Sequence, residues 1–255
     1  MVDPTSFDIV TYEDAVAASM SLVDFERNIN NPGHSHFHLE RMKMMMDFLS
    51  NPQDKVPTVH VAGTKGKGST AAMVASILSH AGYNCGLTTS PHLHSLTERI
   101  SISGEPISKE EFARIVRKLW PIVQRLEHVG EHGSVSWFEF MVACAFYYFD
   151  ESKVDFQVVE TGLGGRLDAT NIIDPLVSVI TSISLDHTSI LGDTIQEIAL
   201  EKSGIIKTER PVVLAGQNDE AQMVLYKVAQ DKCSPLVDSA EQFNADVLSM
   251  DITGQ

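Results

Sequence analysis

The densest chemistry in the sequence lies between residues 58 and 80. Thr58-Val59-His60-Val61-Ala62 leads into Gly63-Thr64-Lys65-Gly66-Lys67-Gly68-Ser69-Thr70, and a stretch of helical period, Ala71 to His80, follows. A strand, a glycine-rich turn, lysines and hydroxyls at a helix start together make a phosphate cradle. Glycines let backbone N–H groups converge on an anion, and the helix dipole favours its charge. Lys67 is placed to reach terminal phosphates, and either Ser69 or Thr70 to address a magnesium ion or a phosphate oxygen. The spacing departs from G-x-x-x-x-G-K-[ST]: the first glycine would fall at 61, where Val61 stands, and Gly68 takes the hydroxyl position.

Ligands of open α/β sheets gather beyond the carboxyl ends of the strands. Three segments there carry polar groups: Thr88-Thr89-Ser90-Pro91-His92, Glu160-Thr161-Gly162 and Asp186-His187-Thr188. A hydroxyl, a carboxylate and an imidazole converging on the Lys67 loop could hold Mg²⁺ between protein and nucleotide phosphates. Imidazole is an unusual ligand for so hard a cation, so spacing alone leaves His187 undecided between ligand and bystander. The period-two histidines His34, His36 and His38, and the pair His92 and His94, have no cysteine or acid nearby to complete a zinc set and read as ordinary surface or pocket residues. Gly162-Leu163-Gly164-Gly165-Arg166 imitates a dinucleotide fingerprint without its third-glycine spacing and reads as a tight turn that lets backbone approach the site.

The elements that must hold these groups alternate. Candidate strands are Thr58–Ala62, Asn84–Thr89, Phe156–Glu160, Val177–Ser184, Val212–Ala215 and Pro235–Val237; candidate helices are Ser69–Ala81, Lys109–Glu127, Trp137–Phe149, Ile195–Lys202 and Glu220–Asp231. Such alternation is the pattern of a parallel sheet covered by helices. Arg99–Ile107, with Gly104-Glu105-Pro106, reads as a small surface excursion. Ahead of the core, Tyr12–Asn28 and His38–Leu49 have helical composition and flank the turn Asn30-Asn31-Pro32-Gly33; Met42, Met44, Met45 and Met46 in the second are read as packing or pocket lining.

Composition bounds the partners. The chain has 255 residues, 43% of them hydrophobic, and 19 Lys and Arg against 34 Asp and Glu give a formal charge of −15. So acidic a surface argues against nucleic-acid binding, which draws most of its non-specific affinity from basic residues on phosphate. No apolar run is long enough to span a bilayer and no secretory pattern opens the chain. Three widely spaced cysteines, Cys85, Cys144 and Cys233, suit a reducing compartment, so the expected setting is the cytoplasm, with no membrane partner.

Taken in order, several blocks resemble one family. They are His60 to Thr70; Thr89-Ser90-Pro91-His92-Leu93 with Thr97-Glu98-Arg99; Glu160-Thr161-Gly162-Leu163-Gly164-Gly165-Arg166-Leu167-Asp168-Ala169-Thr170-Asn171; Leu185-Asp186-His187-Thr188; and Glu201-Lys202-Ser203-Gly204-Ile205. The chain is similar through these to the N-terminal ATPase domain of the folylpolyglutamate synthase / dihydrofolate synthase family of the Mur ligase superfamily. Lys65 stands where the family usually has Asn, adding positive charge beside the phosphates.

The resemblance implies an α/β P-loop nucleotide-binding fold of the Mur ligase central-domain type and an ATP-dependent amide ligation: a folate or dihydropteroate carboxylate takes the γ-phosphate of ATP to give an acyl phosphate, and L-glutamate displaces phosphate. It implies ATP at Gly63–Thr70, with Lys67 on the β/γ-phosphates, and Mg²⁺ on Ser90, Glu160 and His187, which makes His187 a ligand. It makes Lys202 the lysine that the family carbamylates, a step that a buried lysine near cations can take on losing its proton. Trp137, Phe138 and Glu139 with Leu167, Asp168 and Ala169 resemble segments that line a pterin pocket, although core packing competes for Phe138 and for Phe140 beside it. The chain is expected to be a monomer. Val247, Leu248, Met250 and Ile252 before the turn Thr253-Gly254 suggest a hairpin without its second arm, hence an ATP-binding domain incomplete at its C-terminal end and lacking the family's C-terminal glutamate-ligase domain. Two other readings share the phosphate loop: a stand-alone Mg-ATP-binding module, and a Mur ligase acting on a peptidoglycan precursor.

Overall fold

A computed structural model describes residues 7–23, 39–130 and 132–243. The turn at 30–33, His34, His36, His38 and the run 246–255 lie outside the described residues.

Eight strands form one sheet in the order β4-β3-β2-β5-β1-β6-β7-β8. They are β1 (Thr58–Ala62), β2 (Cys85–Thr88), β3 (Ile100–Ile102), β4 (Glu105–Pro106), β5 (Phe156–Glu160), β6 (Val177–Ile180), β7 (Val212–Leu214) and β8 (Leu236–Asp238). β1 sits at the centre, parallel to β5 on one side and β6 on the other. All five of its residues are buried, as a strand covered on both faces requires. The helices are α1 (Tyr12–Met20), α2 (Glu40–Phe48), α3 (Lys67–His80), α4 (Lys109–Val129), α5 (Trp137–Glu151), α6 (Thr188–Leu191), α7 (Ile195–Ser203), α8 (Asp219–Asp231) and α9 (Ser239–Gln242).

Successive strand residues face opposite sides, and this divides the core. Val59 and Val61 pack with Ala71 and Ala75 of α3. Ala62, Ile180, Val212 and Leu214 pack with α7 and α8. The largest cluster gathers α1, α2, α4 and α5, with Met42, Met45 and Met46 fully buried in it, so these methionines are core. Cap chemistry sets several boundaries. Ser108 accepts from the Glu111 N–H to start α4, and Ser136 with Glu139, and Thr194 with Glu197, close reciprocal capping boxes on α5 and α7.

Several expectations change. The strand expected over Val177–Ser184 ends at Ile180, and the helix expected over Tyr12–Asn28 ends at Met20. α3 begins at Lys67 rather than Ser69, so Lys67 and Gly68 belong to its first turn. The segment 99–107 is exposed at its tip, 103–106, but it is part of the sheet: β3 pairs antiparallel with β2, β4 with β3, and Ile100 and Ile107 are buried. Its turn is Ser103-Gly104, at φ 50° and 88°, the doubly positive geometry that closes a two-residue hairpin. Among the described residues no helix is long and apolar enough to cross a membrane, and the three cysteines are free.

Candidate functional site

The glycine-rich loop leaves β1 at Gly63 (φ 148°) and enters α3 through Gly66 (φ 83°), two conformations that L side chains rarely adopt. It is strapped down by the segment after β6. The Thr64 N–H donates to the Ser182 carbonyl at 2.9 Å, and the Thr64 hydroxyl lies 3.2 Å from both the carbonyl and the N–H of Ser184. A Cβ at Gly63 would come within 1.8 Å of Thr181 Oγ1. The loop is thus held from below, Lys67 is half-buried, and Lys65 and Ser69 are exposed. The first N–H groups of α3 have no carbonyl one turn back, which is what equips a helix start to take an anion.

Glu160 ends β5 beside this helix start. It is buried, and its Oε2 accepts the Ser90 N–H at 2.9 Å. Burial pushes its carboxyl above the usual range, opposed by the Ser90 N–H and the charge of Lys67. A Cβ at Gly68 would stand 3.4 Å from that Oε2, an ordinary van der Waals contact, so the carboxylate lies directly against the first turn of α3. Ser90 and Glu160 are therefore together. His187 is exposed, at φ 48° ahead of α6, with Nε2 3.8 Å from Asp186 Oδ1. Among the described residues there is no cluster of three or more His, Cys, Asp or Glu suited to a metal, so a cation here must draw on hydroxyls, phosphates and water as well.

Lys202, on α7, is 4% exposed, and its Nζ donates to the Gly63 carbonyl at 2.7 Å. Burial, and then the charge of Lys67, lowers its pKa to about 8, against the pull of Asp186 and Asp168. The loop after Glu160 braces this helix. The Arg166 N–H donates to the Glu201 carbonyl at 2.8 Å, and Gly165 lies so close that a Cβ would come within 2.8 Å of the Lys202 carbonyl. That is the tight turn read from Gly162 to Arg166.

The remaining residues divide. Phe138 lies on Gly162, where a Cβ would meet its ring at 2.5 Å. Trp137 is buried under the Arg99 guanidinium, which stands 4.5 Å from the ring centre, and Arg99 Nε donates to His92 Nδ1. Leu167 is half-buried, and buried Ala169 opens the single turn Ala169–Ile172. Asp168 is buried and accepts from Leu163 N–H, Thr170 N–H and Thr170 O–H. Glu139 corrects its expectation as a pocket wall. Its carboxylate accepts from the Ser136 N–H and hydroxyl and pairs with buried Arg41, so it holds α5 to α2. Arg99 and Thr170 were not singled out from sequence, and 181–184 was read as the end of a strand rather than as a strap. Backbone partners leave no residue-type signal, and Arg99 and Thr170 stand inside motifs read for other members.

No family model matches the chain. The dihydrofolate synthase/folylpolyglutamate synthase of Bacillus subtilis is 49% identical over 214 residues, covering 82% of this chain and 50% of that protein. A solved folylpolyglutamate synthase from Thermotoga maritima superposes with a TM-score of 0.78 at 40% identity over 89% of this chain and 49% of that one. The chain belongs to the folylpolyglutamate synthase / dihydrofolate synthase family. It spans about half the length of these family members. Another member, described as an FPGS–AMPPCP complex, gives a TM-score of 0.82 at 35% identity over 90% of this chain. The family's Mur ligase-type α/β fold is the one built here around β1, with its loop, α3 and the ends of β2 and β5 at one edge.

Proposed function

We propose that this chain binds Mg-ATP at Gly63–Thr70 and serves an ATP-dependent ligase that joins L-glutamate to the carboxylate of a folate or dihydropteroate. Support for the nucleotide comes from relatives solved with AMPPCP, and for the acceptor from one described as an FPGS–AMPPCP–folate complex. The observation that carries the reading is the closed contact of three elements at the phosphate loop: α3 starting at Lys67, Glu160 held by the Ser90 N–H, and Lys202 on the Gly63 carbonyl.

In this reading Lys67 and the first N–H groups of α3 take the phosphate charge, which grows on the oxygens of the group in transfer. Ser90 and Glu160 fit a hard cation, since a buried carboxylate whose proton affinity is raised gains most from a positive neighbour; His187 is assigned with them. Bound there, Mg²⁺ would neutralise charge shared between phosphates and protein. Lys202, as the neutral amine, can add to CO₂ through nitrogen and release one proton, turning a cation into a carboxylate. Trp137, Phe138, Leu167, Asp168 and Ala169 are assigned to shaping the site for a flat heterocycle. The protein is placed in the cytoplasm as a monomer.

The test has two stages. Calorimetric titration of the chain with AMPPCP and Mg²⁺ is expected to give one site, absent without the metal. Phosphate release from ATP is then measured with pteroate and L-glutamate, in a chain carrying the family's full length. Dependence on both substrates supports the ligase; nucleotide binding without it leaves a Mg-ATP-binding module.

A further inference from the structure

The central strand carries an imidazole among apolar neighbours. His60 is fully buried, and its Nε2 lies 2.8 Å from Thr170 Oγ1. Its Nδ1 has no hydrogen-bonding partner among the described residues. The Thr170 hydroxyl in turn stands 2.5 Å from Asp168 Oδ1. That carboxylate also receives the N–H groups of Thr170 at 3.0 Å and Leu163 at 2.8 Å, and that of Gly162.

The proton positions follow from the inventory of donors. Burial pushes the Asp168 carboxyl up, but a protonated Asp168 would need an acceptor for its own proton where four donors already converge. Thr170 has a single hydroxyl proton, and the carboxylate takes it. Only lone pairs of Thr170 Oγ1 then face His60, so the ring must donate from Nε2. The resulting tautomer leaves Nδ1 as a bare acceptor, which is tolerated inside proteins more readily than an orphaned N–H. Burial, and after it the charge of Lys207, keeps the ring neutral with a pKa of about 3.

We propose that His60 is a positioning residue: as the neutral Nε2–H tautomer it commits the Thr170 proton to Asp168 and so fixes the loop after Glu160 against β1. The device joins two parts of the site. β1 runs straight into the phosphate loop, and the far side of the fixed loop rests on the backbone of Lys202. The inference rests on the proposed function only in treating residues 162–170 as part of a ligand site.

Ring nitrogen NMR on histidine-labelled chain tests the tautomer, with a protonated Nε2 and an unprotonated Nδ1 expected from mildly acidic to alkaline pH. Amide hydrogen exchange tests the positioning. In His60→Leu the Leu163 and Thr170 amides should exchange ~tenfold faster or more, as loss of a buried hydrogen bond implies, while His60→Gln, which keeps an N–H at similar reach, stays within ~twofold of the parent. Thr170→Val should reproduce the leucine result, and it serves if His60→Leu fails to fold. Pteroate affinity should follow the same order. A proton on Nδ1, unchanged exchange in both Leu and Val variants, no rescue by Gln, or equal acceleration at Val158 in the sheet core would overturn the proposal. If the parent chain binds no pteroate, the functional reading falls while the ring and exchange data still decide this one.

Discussion

In the proposed reading, Lys67 is the residue on which nucleotide binding turns most directly. Removing a charge-assisted phosphate contact in Lys67→Ala should weaken AMPPCP ~100-fold by calorimetry, with the fold unchanged by circular dichroism. Gly63→Ala is a different kind of lesion. At φ 148° and with Thr181 Oγ1 1.8 Å from the new Cβ, it should destabilise the chain by ~2 kcal/mol or more, seen as a lower Tm. Lys202 gives a pH signature. Its ordinary pKa of 10.5 falls to about 8 in the fold, so between those values the unfolded chain binds more protons and stability rises with pH; Lys202→Met should flatten that rise in urea titrations. Competitive acylation read by mass spectrometry should place the onset of Lys202 reactivity near pH 8, below that of exposed lysines. At this scale the sequence showed residue types and their spacing along the chain, which sufficed to put Ser90 just past one strand and Glu160 at the end of another. It did not show where a side chain aims: Glu139 turns to Arg41, 98 positions away, and nothing local marks that partner.

At the scale of elements, the Arg41–Glu139 pair ties α2 to α5 through two side chains that are each nearly buried. Glu139→Gln leaves the guanidinium without its counter-charge and should cost ~3 kcal/mol in urea unfolding, while the double change with Arg41→Met should cost clearly less. Elements written by periodicity and caps were legible. β1 and β5 fall where alternating and apolar runs put them, and α4 and α5 open on Ser108 and Ser136. Legibility failed where a boundary depends on backbone shape. The hairpin of β3 and β4 turns on Ser103-Gly104; the glycine marks a turn, but the pairing of the arms onto the edge of β2 has no local signal. α3 starts early at Lys67 because Gly66 can turn left-handed immediately before it.

The whole molecule is organised by one decision, the placing of β1 in the middle of the sheet with later strands on both sides. Val59 pairs with Val158 and Val177, roughly a hundred residues further on. A fragment ending at residue 150 keeps β1, the phosphate loop and α3 but lacks both neighbours, and it should show no cooperative unfolding transition and no AMPPCP binding. The same topology has a consequence in time. During synthesis the phosphate loop is made early, yet β1 has no sheet neighbour until β5 is made and lacks its second neighbour until β6, ending at Ile180, has left the ribosome. The proposed nucleotide site is thus complete only after both neighbours of β1 have arrived, and refolding should be slow, limited by closing that long span rather than by forming helices.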